Sequence, residues 1–258
     1  MDKESFLKIE SLSVRFGGLQ AVDQASFEVF QGEIFSLIGP NGAGKTTIFN
    51  CIMRIYTPER GKILFGGTDL LSVRPHNVCR LGIARTFQNV ELFSRLTVLQ
   101  NLIIGLHSRV SYGLLGALVR TRRMRDEERK VLSRVEEIID FLGLTPYKNF
   151  KVASLPFGLQ KLVELGRALV INPKLILLDE PGSGMNLEEK NTLKYVIQEI
   201  RKKLMTTVLL VEHDMNFVMN ISDRICVLNF GKKIAEGTPE EIRINPKVIE
   251  AYLGREKG

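Results

Sequence analysis

Short, near-continuous apolar runs alternate along this chain with longer stretches of helical spacing. Ile34, Phe35, Leu37 and Ile38 form one run, and Leu175 to Leu178, Val208 to Val211 and Ile225 to Leu228 form three more. Runs this short without polar alternation predict strands buried on both faces of a sheet. Phe6 to Val14 and Ala25 to Phe30 predict two further strands joined by Arg15-Phe16-Gly17-Gly18, and Lys62 to Phe65 is a short strand bracketed by Pro58–Gly61 and Gly66-Gly67. Ile83 to Thr86 predicts another strand, and Lys232 to Glu236 then Pro239 to Ile244 a closing strand and helix. Helical stretches follow the first run (Thr46 to Arg54) and the second, where Leu193, Val196, Ile197, Ile200 and Leu204 share one face. Asn186 and Glu189 have the spacing to cap that helix reciprocally.

Between about Leu96 and Ala153 the strand signals stop. Val131, Leu132, Val135, Ile138, Ile139 and Leu142 recur at helical spacing with charges between them. The reading is a single domain over 1–258, with an α/β core at 1–95 and 154–258 and a helical subdomain inserted at about 96–153.

Composition adds limits. The 258 residues are 44% hydrophobic and 25% charged, enough for one large domain or a core with a subdomain. No apolar run approaches the roughly 18 residues of a membrane span, and the polar start, Met1-Asp2-Lys3-Glu4, predicts no secretory signal. Cys51, Cys79 and Cys226 are scattered and odd in number, which predicts reduced thiols in a cytoplasmic protein. The net charge of +7 suits nucleic acid or an anionic membrane surface and by itself selects neither. Arg120, Arg122, Arg123 and Arg125 precede Asp126, Glu127 and Glu128, the pattern of a salt-bridged, solvated helix.

The chemistry begins at Gly39. Gly39, Pro40, Asn41, Gly42, Ala43, Gly44, Lys45, Thr46 and Thr47 contain G-x-x-x-x-G-K-T between a strand and a helix, the spacing of a nucleotide-triphosphate-binding phosphate loop. Glycines at 39, 42 and 44 let successive N–H groups face a phosphate, and the helix N-terminus adds favourable charge. Lys45 can reach the β- and γ-phosphates, and Thr46 offers a hydroxyl to magnesium. The strand Leu175 to Leu178 ends in Asp179, placed to hold magnesium, and Glu180, placed to polarise an attacking water. His213, after the third run, can donate to the γ-phosphate or orient water, although a strand-end histidine taken alone is more often structural. Gln88 can complete a magnesium shell or be an ordinary loop glutamine.

Taken together, these residues resemble the ATP-binding subunit of an ABC transporter over essentially the whole chain. The resemblance implies a phosphate-loop NTPase core of ABC ATPase type, with an antiparallel β part and an inserted helical subdomain. It places Gln88 at the Q-loop, Asp179 and Glu180 at Walker B and the catalytic glutamate, Pro181 to Asn186 at the D-loop and His213 at the switch histidine. Phe16 falls at the aromatic that stacks on adenine, a position where Tyr is commoner. The signature, usually Leu-Ser-Gly-Gly-Gln, is here Leu155-Pro156-Phe157-Gly158-Leu159. Gly158 is kept and implied to contact the partner's ATP. Pro156 has neither the hydroxyl nor an N–H.

The resemblance further implies ATP and Mg2+ as ligands and a second ABC ATPase subunit, in a heterodimer or a homodimer. Two transmembrane permease subunits would complete the complex at the cytoplasmic face of the inner membrane, served indirectly by an extracytoplasmic substrate-binding protein, with no nucleic acid. Arg15 to Val22, Arg85 to Phe93, Glu180 to Asn186 and the tail from Ile234 look like the ATPases of branched-chain amino-acid uptake systems, and the long helical lobe made by Ser108 to Arg129 resembles the larger of the two such chains. A lipopolysaccharide-export ATPase and a soluble ABC-type ATPase acting on ribosomes or nucleic acid are the alternatives.

Overall fold

The computed structural model describes residues 5–86, 91–106 and 122–253. In chain order its strands are β1 (Ser5–Phe16), β2 (Leu19–Phe30), β3 (Ile34–Ile38), β4 (Arg60–Phe65), β5 (Thr68–Asp69), β6 (Ile83–Arg85), β7 (Leu175–Asp179), β8 (Thr207–Val211), β9 (Arg224–Asn229) and β10 (Lys232–Gly237). Its α-helices are α1 (Lys45–Ile52), α2 (Val98–Gly105), α3 (Arg122–Phe141), α4 (Phe157–Leu169), α5 (Leu187–Leu204), α6 (Met215–Ile221), α7 (Pro239–Arg243) and α8 (Pro246–Leu253).

The strands form two sheets. One is antiparallel with the order β2-β1-β4-β5, and the other has the order β10-β9-β3-β8-β7-β6. In the second sheet β9, β3, β8, β7 and β6 run parallel, and only the edge strand β10 is antiparallel. Every residue of β3, β7 and β8 is buried. Successive residues point to opposite faces. Phe35, Leu37, Leu177, Leu209 and Val211 pack with α1 and the antiparallel sheet, while Ile34, Ile176, Leu178, Val208 and Leu210 pack with α2 to α6. Two apolar faces explain why these strands read as continuous apolar runs.

The β1–β2 connection is tighter than the sequence suggests. Both strands continue until Phe16 pairs with Leu19, leaving only Gly17-Gly18 as the turn, with Gly17 at φ +57°. A cross-strand bond from Arg15 Nε to Gln20 Oε1 (3.0 Å) holds the extension. Helix α1 stops at Ile52, short of the expected Arg54, which itself sits at φ +60°. The predicted stripe is buried at Val135, Ile138 and Ile139 of α3 and at Leu142 just beyond its end, but Leu132 is exposed. The capping box at Asn186 and Glu189 is present, with both bonds at 3.0 Å.

The chain enters and leaves the 96–153 segment side by side. Val98 and Leu99 donate to the carbonyls of Phe150 and Lys148 (both 3.1 Å), and Val152 and Ala153 donate to those of Leu96 and Ser94 (3.0 and 3.1 Å). The described part of this segment holds α2, α3 and short 3-10 turns. Its apolar side joins the core through α4.

Candidate active site

The parallel strands of the second sheet end along one edge, and that edge carries the chemistry. β3 delivers Gly39 at φ +150°, where an added Cβ would lie 2.1 Å from the Leu228 carbonyl oxygen. Gly44 precedes α1 at φ +101°, and a Cβ there would lie 2.5 Å from the Ala21 carbonyl oxygen. The loop between them is braced from behind. Ala43 N–H donates to Pro40 O (3.1 Å), Gly231 N–H to Ala43 O (3.1 Å), and Asp23 N–H to Gly231 O (2.9 Å). In front of it opens a cleft of about 590 Å³, lined by Asn41 to Thr47, Phe16, Glu180 and Phe230.

Lys45 is buried, and its Nζ donates to Gly39 O (2.7 Å) and Pro40 O (3.0 Å). Burial lowers its pKa from the ordinary 10.5, opposed by the carboxylates of Glu180 and Asp179. An ammonium has three donors, so Lys45 can be held by the loop and still address an anion in the cleft.

Asp179 ends β7 opposite Val211 of β8. It is buried, and its Oδ2 accepts from Arg85 Nη2 of β6 at 2.6 Å. Arg85 Nη1 donates to Asn50 Oδ1 of α1 at 2.6 Å. Glu180 follows in the left-handed region, φ +47°, with its N–H on the Val211 carbonyl at 2.8 Å. A non-glycine residue in that region carries strain of roughly 1–3 kcal/mol. Here the bend aims the Glu180 carboxylate into the cleft and toward His213, whose Nδ1 lies 3.6 Å from Glu180 Oε2. Glu180 and His213 are thus brought together although they come from different strands.

Phe16 is 44% exposed on the cleft wall, with Tyr56 packed edge-to-face behind it at 5.0 Å between centroids. That leaves a ring face available to a base. Gly158 lies in the first turn of α4 after Pro156, which makes no side-chain cap. A Cβ on Gly158 would meet Glu189 Oε1 at 2.4 Å, so a side chain there would push on the carboxylate that completes the α5 capping box. Thr46 and Thr47 line the cleft, while Pro40 lies outside its lining and participates through its carbonyl. Gln88 lies outside the described residues.

Sequence reasoning missed three participants. Arg85 was legible only as part of a motif, with nothing to connect it to Asp179. Phe230, exposed at the β9–β10 turn, joins the cleft wall. Glu212 lies buried beneath the Glu180 and His213 loops; an acidic residue directly after an apolar strand was the available signal.

The donor set fits magnesium of the kind held mostly by substrate phosphates. Among the described residues no group of three or more His, Cys, Asp or Glu forms a metal cage. One carboxylate and one hydroxyl, Asp179 and Thr46, are what such a metal takes from protein.

Two family models match the chain. One, described as ABC transporter, covers residues 22–183, and one, described as branched-chain amino acid ATP-binding cassette transporter, covers residues 232–258. The high-affinity branched-chain amino acid transport ATP-binding protein LivG of Escherichia coli (strain K12) is 43% identical over 251 residues, spanning 97% of this chain and 98% of that protein. A nucleotide-free ATP-binding cassette from an ABC transporter superposes with a TM-score of 0.84 at 33% identity, covering 97% of this chain and 100% of the other. An ATP-binding cassette in its ADP conformation also gives 0.84, at 32% identity, covering 97% and 99%.

Proposed function

This chain belongs to the ABC transporter family as an ATP-binding, ATP-hydrolysing subunit, and from that premise we propose that it energises uptake of branched-chain amino acids. The observation that carries the reading is that one strand edge presents the phosphate loop and Glu180 on a shared cleft, with Asp179 ending the strand before Glu180 and His213 lying 3.6 Å from its carboxylate. The transported class rests on LivG and on the match of residues 232–258, which favours this reading over lipopolysaccharide export.

In the proposed cycle, Phe16 stacks on the adenine and unpaired N–H groups of the phosphate loop and the start of α1 surround the phosphates. Lys45 places its charge at the β- and γ-phosphates. Thr46 and Asp179, with Gln88 by resemblance, would hold magnesium, which when bound neutralises phosphate charge. Glu180 orients and polarises water, and His213 steadies the γ-phosphate and the Glu180 carboxylate. Gly158 would face the nucleotide of a second ATPase subunit. With Pro156 in the serine position, a heterodimer with a partner of fuller signature is favoured. Among the described residues no helix is long and apolar enough to cross a membrane, so the chain would attach peripherally, on the cytoplasmic side, to two permease subunits.

The test is affinity isolation of tagged Glu180→Gln protein from native membranes with MgATP, followed by mass spectrometry. Two multi-span proteins and a second ATP-binding chain support the proposal. Ribosomal proteins or nucleic acid without membrane proteins would overturn it.

A further inference from the structure

Glu212 has no role in the cycle just described, yet it is 1% exposed at the end of β8, directly before His213. A carboxylate is not buried without several donors to hold it. Its Oε1 accepts from the Gly182 N–H at 2.8 Å, and its Oε2 from the N–H groups of His213 at 3.1 Å and Asp214 at 3.4 Å. One side chain therefore joins the loop that leaves Glu180 to the loop that carries His213.

Gly182 completes the contact. Its φ is not in the left-handed region, so conformation does not call for glycine. Space does: an added Cβ would lie 2.9 Å from Glu212 Oε1. The Glu212 carboxylate has little room to retreat while its other oxygen is held by His213 and Asp214. Further bonds stiffen the Glu180 side of the clamp, with Ser183 N–H on Glu180 O (3.1 Å) and Met185 N–H on Gly182 O (3.2 Å).

We propose that Glu212 is a positioning residue for ATP hydrolysis, which sets the spacing of Glu180 and His213 by clamping the Gly182 amide to the His213 and Asp214 amides. The inference rests on the roles proposed above for Glu180 and His213. Displacing a reacting group by about 1 Å costs on the order of 10²-fold in rate. The clamp touches neither the phosphate loop nor the Phe16 wall, so loss of it lowers kcat and leaves nucleotide affinity intact.

Glu212→Gln keeps the shape but presents an NH2 group to at least one of the three amides, whereas Glu212→Asp keeps the charge and loses the reach. Gly182→Ala pushes on the same contact from the other loop. Purified full-length chain, alone and in the membrane complex isolated with it, is assayed for steady-state MgATP hydrolysis, equilibrium ATP binding and thermal unfolding. The expected result for all three variants is folded protein, a kcat reduced about 10- to 100-fold and ATP affinity within twofold of wild type. The Glu212→Gln/Gly182→Ala double variant should lose no more than the worse single variant, because both break one contact. Wild-type kcat in Glu212→Gln, full restoration by Glu212→Asp, or multiplicative losses in the double variant would each overturn the clamp while leaving the proposed activity standing. Absence of turnover by the wild-type chain in both settings would remove the activity itself, and the clamp with it.

Discussion

Arg85 and Asp179 form a buried ion pair, 2.6 Å between Nη2 and Oδ2, with only 6% and 4% of their side chains exposed. The pair joins β6 to β7, and through Asn50 it reaches the helix that follows the phosphate loop. The guanidinium also lies over the Phe49 ring at 5.7 Å. The carboxylate proposed for magnesium is thus already anchored by a fixed cation before any nucleotide arrives, and its position is set by the sheet.

Removing one partner of such a pair strands a charge in the interior, which costs about 3–5 kcal/mol. Arg85→Ala should therefore lose about that much stability in urea denaturation. Arg85→Lys should fall between Arg85→Ala and wild type, because a lysine lacks the fork that serves Asn50 and Asp179 together. Equal stability of Arg85→Ala and wild type would show that the pair contributes little to the fold.

Glu180→Gln keeps the size of the side chain and removes its basicity. Turnover should fall by roughly 10²- to 10⁴-fold, with ATP binding retained. The strained φ of +47° belongs to the backbone at this position and is unaffected by the exchange, so thermal stability should change little. Rapid hydrolysis by Glu180→Gln would assign the water-activating role elsewhere.

Phe16 offers the cleft a π-face and no polar atom, so its contribution should not depend on which base is bound. Phe16→Ala should weaken ATP and GTP binding by the same factor, about 5- to 150-fold, the equivalent of roughly 1–3 kcal/mol of stacking on one base. Phe16→Tyr should bind as wild type. Calorimetry or fluorescence titration with both nucleotides checks this, and a loss confined to ATP would point to base-edge recognition.

The sheet and the phosphate loop were legible because local sequence determines them. Burial on two faces writes itself as an apolar run at β3, β7 and β8, and the G-x-x-x-x-G-K-T spacing is contiguous. The pairings that complete the site are not local. Arg85 and Asp179 are 94 positions apart, and Gly182 and Glu212 are 30 apart, so no periodicity connects them. Phe16 reads as a loop residue in the sequence yet ends a strand, because the extended pairing of β1 with β2 depends on register and on the Arg15–Gln20 bond. The exposure of Leu132 was hidden for a related reason: a helical stripe shows which side of a helix is apolar, not how far along it that side is covered.

Asp214 gives the site region a measurable pH dependence. Its Oδ2 accepts from Lys190 Nζ of α5 at 2.6 Å, and its Oδ1 caps α6 through the Phe217 N–H at 3.1 Å. The bond from Lys190 holds the carboxyl below its ordinary value of 3.8, with burial opposing. A folded-state pKa below the unfolded one means that the unfolded chain binds more protons in the interval between them. The stabilisation is therefore complete above about pH 4 and is lost as pH falls through the lower folded value. Lys190→Ala should raise the Asp214 pKa toward 3.8 in a carboxyl NMR titration while leaving the α6 cap in place. In urea denaturation the variant should be less stable by about 1 kcal/mol at neutral pH, the upper range for a partly exposed pair. That difference should be the same at pH 6 and pH 7 and should shrink near pH 3. A difference independent of pH across that range would show that Lys190 acts through packing along α5 instead of through the Asp214 carboxylate.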